Sequence, residues 1–500
     1  AAMMTAPVQN GYRLSALLDG YADVASAVDR DIAGLCLDSR DVQAGDCFIA
    51  LRGAARHGAS YVHDALAAGA VAVLVDAADE SLHASVPVVA VPDLRAVVGL
   101  LASRFYGDPS HGLDIVAVTG TNGKTTVAHL IADALASVQG AAGYAGTLGL
   151  GRFGALMANP NTTPDPITLQ ALFAQLRDSG CRAAAIEVSS HGIAQHRIAG
   201  CAIDVAVFTN LSHDHLDYHE SLAAYAATKK SLFRHPGLRH AVVNIDDPIG
   251  REIVAEAAPT LAVSTYSLDR HSDAAYRLVG YIPHAGESAL VIATPHGDVR
   301  LATGLPGEFN QQNLMAALAA LAAIGIPLPV AAAALSKATE VAGRMQRIVT
   351  GERAEPLVVV DYAHTPDSLA RAIAALRGHT RGELVCVFGC GGDRDRSKRA
   401  PMGRAAASGA DRVIVTSDNP RSEPATAIIE DILGGIDSSA NVTVIEDRAA
   451  AIARAIAGAS VDDVVLIAGK GHETTQEVNG QRQPFSDPAH ALAALRGRTS

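Results

Sequence analysis

Apolar residues along this 500-residue chain fall into short uninterrupted runs, each followed by a stretch with helical spacing. The clearest run is Asp114-Ile-Val-Ala-Val-Thr119, whose β-branched, unbroken character predicts a parallel strand buried on both faces. After Thr126 the pattern changes: Val127, Leu130, Ile131 and Leu135 share one helical face. Earlier, apolar runs at 71–75 and 88–91 predict strands and 60–68 a helix, with Leu37-Asp-Ser-Arg40 and Ala44-Gly-Asp-Cys-Phe48 punctuating the region before them. These make a small N-terminal α/β domain over residues 1–107, closed by the linker Asp108-Pro-Ser-His111.

Strand-like runs at 115–118, 184–188, 205–208 and 241–244 then alternate with helical stretches, which predicts a mostly parallel sheet across a central domain, 108–342. Residues 270–303 instead read as short alternating strands of an antiparallel patch. A third series, at 357–360, 384–388, 412–416, 442–445 and 464–468, predicts a doubly wound C-terminal domain over 343–500. The expected class is α/β, in three domains.

Composition narrows the partners. The formal net charge of −12, with no Lys/Arg run, argues against nucleic acid. Cysteines 36, 47, 181, 201, 386 and 390 form no CxxC pair and read as small buried hydrophobes in a reducing cytosol. Residues 1–9 lack the layout of a secretory signal, so a cytoplasmic location is expected. The uncharged run 314–335 is long enough to span a bilayer, but Gly325, Pro327 and Pro329 interrupt it. Two packed helices around a turn is the better reading, without membrane insertion, and a monomer is the default expectation.

The stretch between the first strand and its helix carries the chemistry. Gly120-Thr-Asn-Gly-Lys-Thr-Thr126 sets a glycine turn at a helix N-terminus, where backbone N–H groups and the helix dipole favour phosphate. Lys124 can reach terminal phosphates, and the Thr125 hydroxyl can ligate a phosphate-bound Mg²⁺. The pattern departs from a generic P-loop at Val118, where a first glycine is usual. The other polar motifs follow strand ends, where open α/β sheets bind ligands. Glu187 could hold Mg²⁺ beside the loop, or be a solvated strand-end charge. His213-Asp-His-Leu-Asp-Tyr-His219 nearly matches a zinc-hydrolase pattern, but Tyr218 stands where histidine belongs; service to a phosphate-linked metal is preferred. Lys229 and Lys230 lie on a helix starting near Ser221, where a solvated face is the ordinary explanation. Asp361 and His364 follow an apolar strand and could meet a nucleotide. Arg394 and Arg421 suit bidentate carboxylate recognition, and Glu473 suits an ammonium, together a receptor for an amino acid.

These motifs in this order resemble the Mur ligases, ATP-dependent amide-forming enzymes of peptidoglycan synthesis, over essentially the whole chain. The resemblance rests on GTNGKTT at 120–126, NTTPD at 161–165, EVSSHG at 187–192 and NLSHDHLDYH at 210–219. It continues in FNQQN at 309–313, GRMQ at 343–346, DYAHTPDS at 361–368, GCGGDRD at 389–395, DNPR at 418–421 and GKGHE at 469–473. It implies ATP held by Gly120, Thr121, Asn122, Gly123, Lys124, Thr125 and Thr126, with Asn310, Arg344, Asp361 and His364 around the nucleotide. It implies Mg²⁺ on Thr125, Glu187 and His215, and a carbamylated Lys229 as a further metal-binding anion; Lys124, Lys229, His215 and Glu187 form the catalytic set. A UDP-sugar peptide would meet Leu37, Ser39, Asn161, Thr162, Thr163, Ser189, Gln195 and Arg197, with residues 54–56 a weaker match. The incoming amino acid would meet Arg394, Asp418, Asn419, Pro420, Arg421, Gly469 and Glu473.

The implied activity is addition of meso-diaminopimelate to UDP-N-acetylmuramoyl-L-alanyl-D-glutamate through an acyl phosphate. The alternative is the L-lysine-adding activity of the same family, against which Arg421 argues by offering a partner for a distal carboxylate. Folylpolyglutamate synthases share the phosphate loop but leave DNPR unexplained. A non-catalytic nucleotide-binding regulator would be expected to lack some of Lys124, Glu187, His215 and Lys229, and all are present.

Overall fold

The computed structural model describes residues 11–53, 58–76, 84–212, 214, 218–282, 288–338, 340–351 and 355–498. Its strands form three main sheets, in chain order. The first is parallel and ordered as in the chain: β1 (Gly34–Cys36), β2 (Asp46–Ala50), β3 (Ala72–Asp76) and β4 (Val88–Val91). The segment 44–48, read from sequence as punctuation, contains the start of β2, because Cys47, Phe48 and Ile49 are buried in the sheet. The expected helix at 60–68 begins as a tight turn, Gly58–Tyr61, and continues as helix Val62–Ala67. Helix α1 (Leu94–Phe105) leads out of this unit.

The central sheet has ten strands. β5 (Asp114–Thr119) is followed by α2 (Lys124–Gln139), β6 (Gly143–Gly146), β7 (Gly149–Arg152), α3 (Pro166–Asp178), β8 (Ala183–Glu187) and β9 (Val205–Phe208). Helix α4 (Leu222–Ser231), β10 (His240–Asn244), β11 (Ala262–Ser267), β12 (Tyr276–Ile282), β13 (Ser288–Thr294) and β14 (Gly297–Thr303) follow. The order across the sheet is β14-β13-β12-β11-β10-β9-β5-β8-β6-β7, so β5 lies between two parallel neighbours. The predicted antiparallel patch is real, as β12–β14, but it extends this same sheet through β11. Alternate residues of β5 serve opposite cores: Val116 and Val118 pack with Val127, Leu130 and Ile131 of α2, and Ile115 and Ala117 with Leu172 and Phe173 of α3. The run 314–335 is the expected helix pair, α5 (Glu308–Ala323) and α6 (Leu328–Leu335), packed against α2. Among the described residues no helix is long and apolar enough to cross a membrane.

The third sheet orders β15 (Gln346–Ile348), β16 (Leu357–Asp361), β20 (Val464–Ala468), β17 (Leu384–Phe388), β18 (Arg412–Val415) and β19 (Val442–Val444). All but β15 run parallel. Helices α7 (Pro366–Arg377), α8 (Arg399–Gly409), α9 (Ala425–Leu433) and α10 (Arg448–Ala457) cover its faces, with α11 (Asp487–Arg498) closing the chain after the hairpin β21 (Thr475–Val478) and β22 (Gln481–Pro484). The α/β class read from the sequence is the observed one. Loops from the carboxyl ends of β5, β8 and β9 face loops from the carboxyl ends of β16, β17, β18 and β20 across a shared cleft.

Candidate active site

The loop after β5 owes its shape to Gly120, at φ 146°, and to support from the segment after β9. A side chain at Gly120 would meet Thr209 Oγ1 at 1.9 Å, so only glycine lets the two segments approach. Thr121 N–H donates to Asn210 O (2.8 Å), Asn122 N–H to Asn210 Oδ1 (3.0 Å), and the Thr209 hydroxyl to Asn122 O (2.6 Å). The loop opens onto the N-terminus of α2, which is an anion site by its dipole and free N–H groups. Lys124 folds back over it, donating from Nζ to Gly120 O (2.9 Å) and Thr121 O (2.8 Å). Burial, with Arg344 adding to it, holds Lys124 below the ordinary lysine range against the pull of Glu187 and Asp214.

Glu187 is no solvated charge: it is fully buried at the end of β8. Its Oε1 accepts from Tyr144 OH (2.6 Å) and Thr147 N–H (2.7 Å), and its Oε2 from the hydroxyls of Thr125 (2.9 Å) and Thr147 (3.0 Å). A carboxylate and two hydroxyls beside a phosphate loop are the hard oxygen donors Mg²⁺ prefers. Sequence reasoning missed Tyr144 and Thr147, which sit on a short glycine-rich hairpin without a strand-like run.

The paired lysines on α4 separate completely. Lys230 bridges Glu252 and Glu256 at the surface, the solvated role expected of such a pair. Lys229 is 1% exposed, donates to Gly120 O at 2.8 Å and lies 4.5 Å from the Tyr225 ring centre. Burial first, then Lys124, pushes its pKa well below the lysine range, which favours the neutral amine. Ser221 caps α4 through the Ala224 N–H. Buried His219 packs against Tyr225, while His213, His215 and Asp217 lie outside the described residues, as do residues 54–56.

The C-terminal unit closes directly over this loop. Arg344 Nη2 donates to Thr125 Oγ1 (3.1 Å), and its guanidinium stacks 4.3 Å from the Tyr362 ring centre. Asn122 Nδ2 donates to Asp367 Oδ2 (3.3 Å), and His364 Nε2 lies 4.0 Å from Asp214 Oδ2. Asp361 accepts the N–H groups of Met345 (2.7 Å) and Ala363 (2.8 Å), while burial raises its pKa. Burial also brings His364 down to about 4, so its imidazole is neutral at pH 7. Asn310 is buried at the start of α5, bonded to Pro306 O (2.8 Å) and Asn313 (3.2 Å).

The cleft continues past Thr162, Asp214 and Tyr362 into a second pocket lined by Arg197, Arg394, Arg421 and Glu473, among others. Behind its central-domain wall, buried Thr163 donates from Oγ1 to Glu187 O (3.0 Å) and accepts there from Ser189 N–H (2.9 Å). Arg197 reaches Thr163 O (2.6 Å) and Gln195 Oε1 (2.8 and 3.1 Å). On the facing wall Arg421 has φ 55°, unusual for a non-glycine residue, and is clamped by Arg421 N–H to Glu477 O (3.0 Å) and Asn479 N–H to Arg421 O (2.7 Å). Its Nη1 donates to Gly392 O at 2.7 Å, which aims the guanidinium.

Family models match along the chain in order: "Mur ligase family, catalytic domain" at residues 31–106, "Mur ligase middle domain" at 118–321 and "Mur ligase, glutamate ligase domain" at 343–471. The chain belongs to the Mur ligase family. A UDP-N-acetylmuramoyl-L-alanyl-D-glutamate–2,6-diaminopimelate ligase of Pseudomonas aeruginosa is 50% identical over 467 residues, 93% of this chain and 95% of the relative. The ligase of the same name from Pseudomonas syringae pv. tomato is 47% identical, over 93% and 96% of the two chains. A solved structure bearing that enzyme name is 37% identical, with a TM-score of 0.70, and covers 98% of this chain and all (100%) of its own.

In this Mur ligase, residues expected from the sequence to meet a nucleotide or its metal converge on one cleft: Thr121 to Thr126, Glu187, Asn310, Arg344, Asp361 and His364 line it. Gly120 contributes its carbonyl from beneath. Asn161, Thr162, Ser189, Arg197, Arg394, Asp418, Asn419, Arg421, Gly469 and Glu473 line the continuation. Leu37, partly buried in the core of the N-terminal unit, and Ser39 line neither part. Gln195 and Pro420 stand one layer back, as supports of Arg197 and of the Gly392 turn.

Proposed function

We propose that this Mur ligase joins meso-diaminopimelate to UDP-N-acetylmuramoyl-L-alanyl-D-glutamate with ATP, releasing ADP and phosphate, and acts as a cytoplasmic monomer. The observation carrying this reading is the continuity of the phosphate-loop cleft with a pocket holding Arg394, Arg421 and Glu473. Two guanidiniums and a carboxylate suit an amino acid with a second carboxylate and a second ammonium. The names of the relatives support the same substrates. L-Lysine, the alternative, would leave one guanidinium without a partner.

In this reading residues 1–107 hold the UDP end, with Leu37 and Ser39 at the uridine, and 108–342 hold ATP and the muramoyl peptide through Asn161, Thr162, Thr163, Ser189, Gln195 and Arg197. Residues 343–500 bring the amino acid. The D-glutamyl carboxylate oxygen attacks the γ-phosphorus, and ADP leaves. The free amine of the amino acid then attacks the acyl carbon, passes through a tetrahedral intermediate and expels phosphate. Lys124 turns from the Gly120 and Thr121 carbonyls to the transferring phosphoryl group, and the α2 N-terminus takes the rest of its charge. Thr125, Glu187, His215 and a carbamylated Lys229 would hold Mg²⁺, which when bound supplies neutralisation of phosphate charge. A buried, neutral Lys229 amine is the form able to capture CO₂. The contacts of Arg344, Asp367 and His364 across the cleft keep water from the acyl phosphate. The test is phosphate release from ATP with the UDP-muramoyl dipeptide: release dependent on meso-diaminopimelate supports the proposal, and release without an added amino acid, or none with it, refutes it.

A further inference from the structure

Beneath the amino-acid pocket lies a cation that none of the roles above uses. Lys470, between the two glycines of Gly469-Lys-Gly471, is completely buried (0% side-chain exposure). Its Nζ donates to Asn419 Oδ1 at 3.0 Å and to Glu473 Oε2 at 2.8 Å. The same Asn419 oxygen accepts the Glu477 N–H at 3.0 Å, and Asn419 Nδ2 donates to Glu473 Oε2 at 2.8 Å.

This small network has only one consistent polarity. Lysine and a backbone N–H can only donate, so the Asn419 atom they share must be the carbonyl oxygen. The amide nitrogen is thereby turned to Glu473, and its second hydrogen meets no partner among the described residues. Glu473 Oε2 receives two donors while Oε1 receives none among the described residues, on a side chain 30% exposed in the cleft wall. The arrangement presents one donor from Asn419 and one carboxylate oxygen from Glu473 to the same pocket.

We propose that Lys470 is a positioning residue for the incoming amino acid, orienting Asn419 and Glu473 so that Glu473 Oε1 meets the substrate's distal ammonium. The inference rests on reading this pocket as the amino-acid site. Without Lys470 the Asn419 amide can flip, and the Glu473 carboxylate loses the partner that holds it in place. Glycine is required on both sides: Gly469 and Gly471 have φ 112° and 55°, and side chains there would meet Asp418 Oδ2 at 2.7 Å and Gly343 O at 2.7 Å.

The experiment compares Lys470→Met, Glu473→Gln and the double variant in steady-state ligation with meso-diaminopimelate and with 2-aminopimelate, which lacks the distal amine. Lys470→Met is expected to raise the KM for meso-diaminopimelate on the order of ten- to a hundredfold, with KM for ATP and for the UDP-dipeptide within about twofold. The rise for 2-aminopimelate should be much smaller, and the double variant should add little to either single change. Should Lys470→Met not accumulate as folded protein, Lys470→Gln, which keeps polar atoms in the buried layer, carries the same comparison. A general rise in all three KM values, or equal losses for the two amino acids, would overturn the proposal. If Glu473→Gln and Arg421→Ala also left the amino-acid KM unchanged, the reading of the pocket would fall with it. If they raised it and Lys470→Met did not, only the role of Lys470 would fall.

Discussion

Lys229 Nζ donates to the Gly120 carbonyl at 2.8 Å, the same oxygen that takes Lys124 Nζ at 2.9 Å. Two lysines 105 positions apart in sequence therefore meet on one oxygen of the phosphate loop, and Lys124 adds to the burial that holds Lys229 toward its neutral form.

Replacing either lysine separates catalysis from folding. Lys124→Ala is expected to lower kcat/KM by at least about 10²–10³ by removing a donor to the transferring phosphoryl group. Lys229→Met should lose activity comparably, yet its Tm in the absence of nucleotide should equal or exceed that of wild type. The sign follows from the depressed pKa. Below the ordinary lysine value the unfolded chain binds a proton that the folded chain resists, so Lys229 opposes folding at neutral pH and methionine does not. Full activity of Lys229→Met, or unfolding of it, would show that Lys229 is only a helix residue.

How much of this could be read from the sequence depends on what kind of contact is involved. The run 114–119 and the turn after it were legible because burial on both faces and a glycine-bearing anion site each leave a local pattern. The different fates of Lys229 and Lys230 were not legible: adjacent lysines look alike until the helix is docked. Glu187 was legible at its strand end, but the Tyr144 and Thr147 donors that hold it come from a hairpin too short and too rich in glycine to show a period. Lys470 was read only as part of GKGHE, since nothing in that string says that its side chain turns inward. The arginine–aspartate pair below spans 39 positions and leaves no trace in either neighbourhood.

That pair, Arg448 with Asp487, is 0% exposed on both sides and tethers α11 under the pocket. Arg448 Nε and Nη2 donate to the two Asp487 oxygens at 2.7 Å each, and further donors reach Ser417 O (3.2 Å) and Ala468 O (2.8 Å) at the ends of β18 and β20. Arg448→Met leaves an uncompensated buried carboxylate and should cost about 3–5 kcal/mol. Arg448→Met/Asp487→Leu should recover much of that in chemical denaturation. Equal stability of the single variant and wild type would contradict this account.

Acid should loosen the C-terminal unit. Burial brings both His364 and His472 down to about 4, from an ordinary value of 6.5. The unfolded chain therefore binds more protons between pH 6.5 and about 4, so their contribution is complete above 6.5 and is lost as the pH falls through that window. Tm followed from pH 7 to 4.5 should fall less steeply in His364→Asn/His472→Gln than in wild type; parallel curves would remove these imidazoles from the explanation.

The substrate assignment turns on Arg421, held at φ 55° and aimed by its bond to Gly392 O. If it pairs with the distal carboxylate of meso-diaminopimelate, L-lysine leaves it unpaired in a half-buried pocket. That costs roughly 2–4 kcal/mol, or on the order of thirty- to a thousandfold in discrimination. The decisive measurement is kcat/KM for meso-diaminopimelate and for L-lysine, in wild type and in Arg421→Ala. The account predicts a strong wild-type preference for meso-diaminopimelate, most of which disappears in Arg421→Ala because diaminopimelate use falls far more than lysine use. Equal use of the two amino acids by wild type, or a ratio unchanged by Arg421→Ala, would contradict it.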